Sequence, residues 1–337
     1  LQSAFASNIS TDSLNGKYHV INILSAKEKD VEKVEDCLQA QHSFSFDVKS
    51  MNSAIANHLS DDFNYIGFAC GFIVFFFLWL SMGSIELAVL SFIPMAISWL
   101  WILGLMAIFH MQFNIVNIIL ATFIFGQGDD YTIFMTEGAM YEYAYRRKML
   151  ASYKHSIIIS ALIMFIGIGT LIVARHPALR SLAEVTIAGM FSVVLMAYIF
   201  PPLIFNWLVK HKGEYRVRPL SLQMLFRRRK EGVAYYHDLV LDRYRYKGVE
   251  VFSAVKRNLR RNCDYQAWMK QQDTSLPVII PSAGYGEKVL LFALLHPETK
   301  VIAVEADPDK CRLMKFSMEG IVENVEIINQ AEISRQM

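Results

Sequence analysis

The chain has 337 residues, and its 33 basic and 31 acidic side chains leave a formal net charge of +2. A nucleic-acid-binding protein would carry a basic stripe and a pI well above 8.3, so the charge argues against a nucleic-acid partner. The apolar fraction of 54% and the mean hydropathy of +0.30 exclude a single water-soluble domain of average composition. Only twelve of the 64 charged residues lie in the 143 residues from Ile66 to Leu208. The composition therefore predicts a membrane protein with water-exposed parts at both ends.

The cysteines and the chain ends carry little chemistry. The four cysteines are Cys37, Cys70, Cys263 and Cys311. They form no CxxC pair and have no histidine at metal-ligand spacing, so we expect neither a disulfide framework nor a metal site.

Because the chain opens with Leu1 and no signal segment follows, we expect it to begin inside a longer protein. We also expect the sequence to be truncated at Met337.

Residues 1–62 predict a small external α+β segment. Lys17–Ser25 alternates apolar and polar residues like a strand, Ala26–Gln41 has a charged helical pattern, and Ser43–Val48 predicts a second strand. Met51–Asp62 predicts a helix that runs into the membrane. The order strand, helix, strand favours a small α+β fold.

Residues 63–210 predict a transmembrane domain of five helices. Each apolar stretch has about the 20 residues that a helix needs to cross a hydrocarbon core of roughly 30 Å. The five stretches are about 65–82, 85–109, 113–138, 155–174 and 181–209.

Basic residues between the helices predict the orientation. Arg146, Arg147 and Lys148 lie between the third and fourth stretches, and Lys210 and Lys212 follow the fifth. Because basic loop residues mark the cytoplasmic face, we expect the C-terminal part in the cytoplasm and, with five spans, residues 1–62 outside.

The third stretch contains an acidic pair, Asp129 and Asp130, which is followed by Tyr131. An intramembrane carboxylate costs about 2.5–3.5 kcal/mol by insertion scales, so it normally faces a partner or a water-filled path. Three interpretations stay open: a proton or ion pathway, a pairing that only assists assembly, or a hydrated pair near the membrane edge. Gly126 and Gly128 are expected to allow close helix packing beside the pair.

The pattern Gly126-x-x-x-Asp130-Tyr131 resembles the GxxxDY motif of the MMPL transporters, which belong to the resistance-nodulation-division (RND) superfamily. Pro94 in the preceding stretch and the Pro201-Pro202 step in the last one agree with this resemblance, which covers roughly residues 1–212.

The resemblance implies a proton-driven exporter of lipids or other hydrophobic compounds in a bacterial inner membrane. Protons are then the coupling ion and Asp130 and Tyr131 the relay pair, whereas Asp129 stands where the family usually has another residue, so that its role is open. The family has two six-helix halves, so the expected partner is a missing N-terminal half, and residues 1–62 would be the end of a porter domain.

The remaining residues predict a basic cytoplasmic linker with lead-in helices (211–275) and a partial Rossmann-like α/β domain (276–337). Val278–Pro281 is an apolar strand, and the turn at Gly284 and Gly286 precedes a helix. A second strand, Lys300–Val304, ends at Glu305, a helix follows, and Asn324–Ile328 is a third strand. A glycine turn before a helix suits a nucleotide-like ligand, and Glu305 is placed to bind ribose hydroxyls.

This region resembles the class I S-adenosylmethionine methyltransferases, which implies that Gly284, Gly286 and Glu305 bind S-adenosylmethionine. Ile280 and Ser282 depart from that family's motif, which usually has an acidic residue and a glycine there. A Rossmann-like layer without a ligand and an NAD-binding domain stay open as alternatives.

The sequence thus leaves three function classes. The first is the exporter with an attached methyltransferase-like domain, for which no catalytic residue is assigned. The second is a membrane-anchored methyltransferase that acts on a lipid-like substrate. The third is a non-transporting, sterol-sensing-like membrane domain, against which the carboxylate pair argues.

Overall fold

The computed structural model describes residues 9–12, 17–20, 24–25, 30–40, 51, 65, 68–110, 115–226, 231–260 and 263–330. The chain divides into two units, Leu1–Asp62 and Phe63–Met337. The predicted strand Ser43–Val48 lies outside the described residues, as does the predicted helix Met51–Asp62 apart from its first residue.

The first unit contains a β-hairpin and a helix. Strand β1 (Ile9–Asp12) pairs antiparallel with β2 (Lys17–Val20), with Ile9 opposite Val20, and helix α1 spans Val31–Ala40. The sequence predicted a strand that includes β2 and a helix that includes α1. It did not predict β1, because a strand of one apolar and three polar residues has no hydrophobic alternation.

The second unit begins with apolar helices. They are α2 (Phe68–Met82), α3 (Ile85–Ile108), α4 (Ile115–Tyr145), α5 (Leu150–Gly169), which a 3₁₀ turn (Thr170–Val173) extends, and α6 (Pro177–Val209). In the described residues, three helices are long and apolar enough to cross a membrane: α3, α5 with its extension, and α6. The prediction of five spans is therefore supported for three, while α2 is shorter and α4 carries the acidic pair.

Local signals explain where these helices start and stop. Ser84 caps α3 by accepting a hydrogen bond from the amide of Leu87 (3.4 Å), and Glu86 in the first turn suits the helix dipole. Helix α6 begins earlier than predicted because His176 caps it and Pro177 occupies its first turn. Helix α4 ends beyond the predicted residue 138, just before Arg146, whose φ of 53° breaks the helix.

Helix α6 packs against α3, α4 and α5, and apolar side chains of all four helices fill the space between them. This core includes Met106, Met135, Ile157 and Met190. Helix α5 contributes little to it, because most of its apolar side chains are exposed. The exposed apolar surface is what a lipid-facing or partner-facing helix requires.

Short elements connect the bundle to an α/β layer. They are β3 (Lys210–His211), β4 (Glu214–Tyr215), α7 (Leu222–Phe226), α8 (Val233–Tyr244), α9 (Val249–Arg260) and α10 (Cys263–Gln271). The α/β layer follows with β5 (Val278–Pro281), α11 (Glu287–Leu295), β6 (Val301–Glu305), α12 (Pro308–Met318) and β7 (Val325–Asn329). The three predicted strands and two predicted helices of this layer are confirmed.

The sheet is parallel, in the order β5-β6-β7, with Val278 opposite Val301 and Val301 opposite Val325. Its buried core joins the sheet to α8, α9, α11 and α12. Because parallel strands end at the same edge, the turn after β5 and the last residue of β6 lie next to each other.

Helix α12 also packs on the C-terminal end of α4. The ring of Phe316 lies edge-on to that of Tyr143, with centroids 5.3 Å apart. Arg146 forms an ion pair with Glu319 (2.9 Å), and Arg147 forms one with Asp309 (3.0 Å). The helix that carries the acidic pair is therefore held directly by the α/β layer.

Candidate functional site

The two adjacent carboxylates of α4 lie on different faces of the helix. Asp129 is buried, with 8% of its surface exposed, whereas Asp130 is exposed. Successive residues of an α-helix project about 100° apart, so one helix cannot direct both side chains at the same neighbour. The bundle encloses Asp129 and leaves Asp130 on its outer surface.

Tyr131 is directed towards α5. Its side chain is buried, and its hydroxyl lies 3.2 Å from the Oγ of Ser160. The predicted relay pair, Asp130 and Tyr131, is thus divided between an exposed face and a helix–helix contact. The structure joins Tyr131 to a hydroxyl of α5 that the sequence did not single out.

The two glycines beside the pair differ in their packing. A Cβ atom on Gly128 would lie 3.3 Å from Val193 of α6 and 3.8 Å from Met95 of α3, so the absence of a side chain allows the three helices to approach closely. Gly126 is exposed, and no described atom lies within 4 Å of the corresponding point. The expected packing contact is present at Gly128.

A set of buried hydroxyls continues from the acidic pair towards the C-terminal end of α4. The hydroxyl of Thr132 donates to the carbonyl of Asp129 (2.9 Å), and that of Thr136 donates to the carbonyl of Thr132 (2.8 Å). Across the helix interface, Ser91 of α3 donates to the Oγ1 of Thr136 (3.0 Å). These three side chains are at most 1% exposed.

Ser98 adds a fourth hydroxyl, on the part of α3 that follows a proline. Pro94 lacks an N–H group, which removes one helical hydrogen bond, and the hydroxyl of Ser98 donates to the carbonyl of Pro94 (2.7 Å). Ser98 is 3% exposed. We call Ser91, Ser98, Thr132 and Thr136 the hydroxyl column.

One carboxylate oxygen in this region has no bonding partner. Within the described part of the chain, no donor or acceptor lies at hydrogen-bond distance from the Oδ1 of Asp129. Buried polar atoms are nearly always hydrogen-bonded, and each exception calls for an explanation. The side chain of Asp129 is thus enclosed by the bundle without being satisfied by it.

The N-terminal end of α3 is fixed by a buried charge cluster. The amide of Leu222 donates to Glu86 (2.9 Å), whose carboxylate lies 3.9 Å from the guanidinium of Arg245. Arg245 in turn lies 3.4 Å from Asp242, its neighbour one turn earlier. The segments that follow the bundle therefore hold the start of α3 as well as the end of α4.

The α/β layer has its own candidate site where β5 and β6 end. The amide of Gly284 donates to one carboxylate oxygen of Glu305 (2.7 Å). The other oxygen accepts from the amides of Ala306 (3.1 Å) and Asp307 (3.2 Å). Parallel pairing thus brings together two residues that are 21 positions apart, as expected from the sequence.

The glycine turn has backbone geometry that restricts its side chains. Gly286 has φ of 84°, and a Cβ atom there would lie only 2.3 Å from the Cγ of Met314 in α12. Ser282 has φ of 53°, a left-handed conformation that favours glycine. The turn therefore holds a serine in a backbone conformation that L side chains rarely adopt.

Side chains of α8, α9 and α11 support the turn. The hydroxyl of Tyr244 donates to the carbonyl of Tyr285 (2.6 Å), and Asn258 donates to the carboxylate of Glu287 (2.8 Å). Burial raises the pKa of the Glu287 carboxyl above its usual value, while the bond from Asn258 acts in the opposite direction.

These residues fit the ribose end of a nucleotide-like cofactor. A carboxylate offers about four acceptor positions, and Glu305 uses three of them on backbone amides, so one remains for a hydroxyl group. Ile280 cannot accept a hydrogen bond with its side chain, and the acidic group usual at that position of the motif is missing. In the ranges that the structure describes, no group of three or more His, Cys, Asp or Glu residues could hold a metal ion.

Sequence reasoning did not identify Ser91, Thr136, Arg243 or Lys247. The two hydroxyls resemble ordinary membrane-helix residues, and only the packing of α3 against α4 joins them. Arg243 and Lys247 lie in a basic stretch expected to be a linker, but both are almost completely buried. The aromatic residues that alternate with them, Tyr244 and Tyr246, were the available signal of a buried segment.

The comparisons with known proteins concern mainly the membrane part. The family model described as the MMPL family matches residues 21–233, which is more than half of the chain. A search of curated proteins and a search of solved structures found no significant match. The family match includes α2–α6 and ends before the α/β layer begins.

Proposed function

The chain belongs to the MMPL family, and from that premise we propose that it is part of a proton-driven exporter of lipids or other hydrophobic compounds. The observation that carries the proposal is the carboxylate pair of α4, Asp129 and Asp130, within a bundle of apolar helices. Ionisable residues at membrane depth are costly and mark ion or proton pathways more often than structural sites.

Protonation of these carboxylates changes the charge carried by α4. Since the helices of the bundle can pack in more than one arrangement, this change of charge alters the free energy of each arrangement. A proton gradient can drive a conformational cycle if the two arrangements differ in proton affinity. Asp130 and Tyr131 form the proposed relay, whose proton affinity differs between the two arrangements. The apolar outer surface of the bundle supports a substrate that reaches the protein from the lipid phase.

We also propose a second half of the transporter as the partner. The exposed position of Asp130 and of the apolar face of α5 supports a contact with further helices. We place the protein in the bacterial inner membrane, with residues 1–62 outside and the α/β layer in the cytoplasm. The basic residues Arg146, Arg147, Lys148 and Lys154, which lie at one end of the bundle, support this orientation.

Replacement of Asp130 tests the exporter proposal. We expect Asp130→Asn to abolish proton flux in proteoliposomes that contain the full-length protein, lipid extract and a pH-sensitive dye, because an amide cannot exchange a proton. Glu137→Gln, an acid-to-amide change at an exposed position of the same helix, is the matched control and should retain flux. Equal flux in wild type and Asp130→Asn would remove Asp130 from the relay.

The α/β layer supports a second proposal, the binding of S-adenosylmethionine at the turn of β5. Glu305 would hold the ribose, and the turn at Gly284 and Gly286 would pack against the cofactor. When bound, this cofactor supplies a methyl group with electrophilic character. The exporter is preferred over a membrane-anchored methyltransferase acting on a lipid-like substrate, because the family match ends at residue 233.

Calorimetry on the full-length protein tests the cofactor. We expect S-adenosylmethionine to bind and Glu305→Gln to weaken binding by about tenfold or more, because a hydrogen bond to a charged acceptor contributes about 1.5–3 kcal/mol. Glu298→Gln, in the loop before β6, is the control. Binding of NAD in place of S-adenosylmethionine would reassign the cofactor, and binding of neither would leave the layer without a nucleotide role.

A further inference from the structure

We propose that Asp129 is a separate proton-binding site inside the bundle, and that the hydroxyl column connects it to the cytoplasmic side. This inference rests on the proposed proton-driven function and adds a second carboxylate to it. The relay implied by family resemblance uses Asp130, whereas the geometry points to a different residue for the enclosed proton.

The rotation of α4 about its axis selects Asp129 as the inner carboxylate. Gly128 fixes that rotation, because it lies against Val193 of α6 and Met95 of α3. The next residue, Asp129, is enclosed, and the one after it, Asp130, is exposed. A proton on Asp130 is therefore accessible from outside the bundle, while a proton on Asp129 requires a path through it.

Helix register brings Ser98 to the level of Asp129. Ser91 of α3 bonds to Thr136 of α4, and these two helices run in opposite directions. Seven residues, or two helical turns of about 10 Å in total, separate Ser91 from Ser98 and Thr136 from Asp129. The same displacement along both helices thus puts Ser98 at about the height of Asp129 in the bundle, near the point where a Cβ atom on Gly128 would lie 3.8 Å from Met95.

The hydrogen bonds of the hydroxyl column leave acceptors free rather than donors. Each hydroxyl has one proton, and the protons of all four residues are already donated, to the carbonyls of Pro94, Asp129 and Thr132 and to the Oγ1 of Thr136. What remains are oxygen lone pairs. Such surroundings accept a hydrogen bond from a protonated carboxyl group and offer no donor to an ionised one.

The unpartnered Oδ1 of Asp129 agrees with this chemistry. A proton bound there, forming an O–H bond, can be donated to a lone pair of the column or to a water between them. Its release returns the carboxylate and transfers the proton to that water. No further reactant is needed, so the step is balanced by proton exchange alone.

The column also has a direction. From Asp129 to Thr136 it covers about 10 Å of a hydrocarbon core of roughly 30 Å, and Thr136 is nearer to the end of α4 that contacts the α/β layer. In the proposed orientation that end is cytoplasmic. The column therefore leads from Asp129 towards the cytoplasmic side, whereas Asp130 lies on the exposed face.

Proton flux and chemical labelling test the inference on the full-length protein in proteoliposomes. We expect Asp129→Asn to lower flux by at least about 100-fold, in the range of a lost proton-transfer group. Thr136→Val and Ser91→Ala should lower flux several-fold and shift the pH of half-maximal flux. Thr170→Val and Ser156→Ala are the matched controls, because each removes a hydroxyl that donates to a backbone carbonyl three or four residues earlier but lies outside the column. Both variants should retain the flux and the pH profile of the wild type.

Dicyclohexylcarbodiimide, which adds to protonated carboxyl groups in apolar surroundings, gives a readout that needs no transport. We expect an Asp130→Asn protein to be labelled at Asp129, with labelling that increases as the pH falls. Labelling of Asp130 alone, or labelling that an Asp129→Asn protein retains in full, would overturn the inference. This measurement also covers the case in which Asp129→Asn fails to fold.

The outcomes separate this inference from the proposed function. If Asp130→Asn loses flux while Asp129→Asn retains it, the exporter proposal stands and the inner site is wrong. If neither change affects flux, both fail. Flux that follows a sodium gradient and depends on Asp129 would replace the proton by a sodium ion and overturn the assignment.

Discussion

Lys247 is a buried lysine in the part of the chain that follows the bundle. It is 2% exposed, and its ammonium lies 4.4 Å from the ring centre of Phe316 and 5.3 Å from that of Tyr244. Its Nζ donates to the Oγ of Ser317 (2.5 Å), which itself donates to the carbonyl of Leu313. Burial lowers the pKa of Lys247 well below its usual value, and the positive charge of Arg243 lowers it further.

The lowered pKa predicts how stability depends on pH. Between the pKa of Lys247 in the folded protein and its unfolded value of about 10.4, the unfolded chain binds a proton that the folded chain does not. Stability should therefore rise with pH through this window, by at most about 1.4 kcal/mol per pH unit. Lys247→Met should remove this contribution and flatten the profile.

Denaturant unfolding of the full-length protein in detergent, at several pH values between 6 and 9, measures the effect. The fluorescence of Trp268, whose ring centre lies 5.8 Å from that of Phe292, reports on the part of the chain that follows the bundle. Lys256→Met, at an exposed position of α9, should keep the wild-type profile. Parallel profiles for wild type and Lys247→Met would show that Lys247 does not titrate in this range.

Helix α4 shows what the sequence could predict at the scale of an element. The apolar run, the acidic pair and the 100° angle between the two carboxylates follow from the residues alone. Which carboxylate is enclosed does not, because the contacts of Gly128 with Val193 and Met95 set the rotation of the helix. Residues on three helices determine this feature, and their mutual register is not visible in a single sequence.

The α/β layer was predictable for a different reason. Alternating strands and helices specify a parallel sheet, and parallel strands bring their carboxyl ends together, so the contact of Gly284 with Glu305 followed from local pattern. Lead-in helices were also predicted in residues 211–275, but the burial of their basic residues was not predictable in the same way. A stretch rich in arginine and lysine usually faces water, and only aromatic and carbonyl partners explain the burial of Arg243.

The segments that follow the bundle form one packed structure with it. The guanidinium of Arg243, which is 3% exposed, donates to the carbonyls of Phe316 (2.9 Å), Ser317 (2.8 Å) and Glu319 (2.8 Å) at the end of α12. It also reaches the carbonyl of Arg216 (3.2 Å), which follows β4. Phe316 packs in turn against Tyr143 of α4. A movement of α4 must therefore move α12 or break these contacts.

Arg243→Leu tests this mechanical connection. Leucine has a similar apolar stem but leaves the carbonyls at the end of α12 without donors, so we expect a loss of about 3 kcal/mol or more of unfolding free energy. The loss should be local, since α5 and most of α3 make no use of Arg243. Hydrogen–deuterium exchange of the full-length protein should show faster exchange in Lys315–Gly320 and in the last turns of α4.

Arg257→Leu, at an exposed position of α9, is the matched control, because it removes the same charge without removing donors from a helix end. If only Lys315–Gly320 exchanged faster in Arg243→Leu, then Arg243 would stabilise α12 alone, and the stability of α4 would not depend on α12. If both segments exchanged faster, the helix of the acidic pair and the α/β layer would behave as one cooperative unit. Because the contact runs through Phe316, Phe316→Ala should then reproduce the effect in α4 while Arg243 still holds α12.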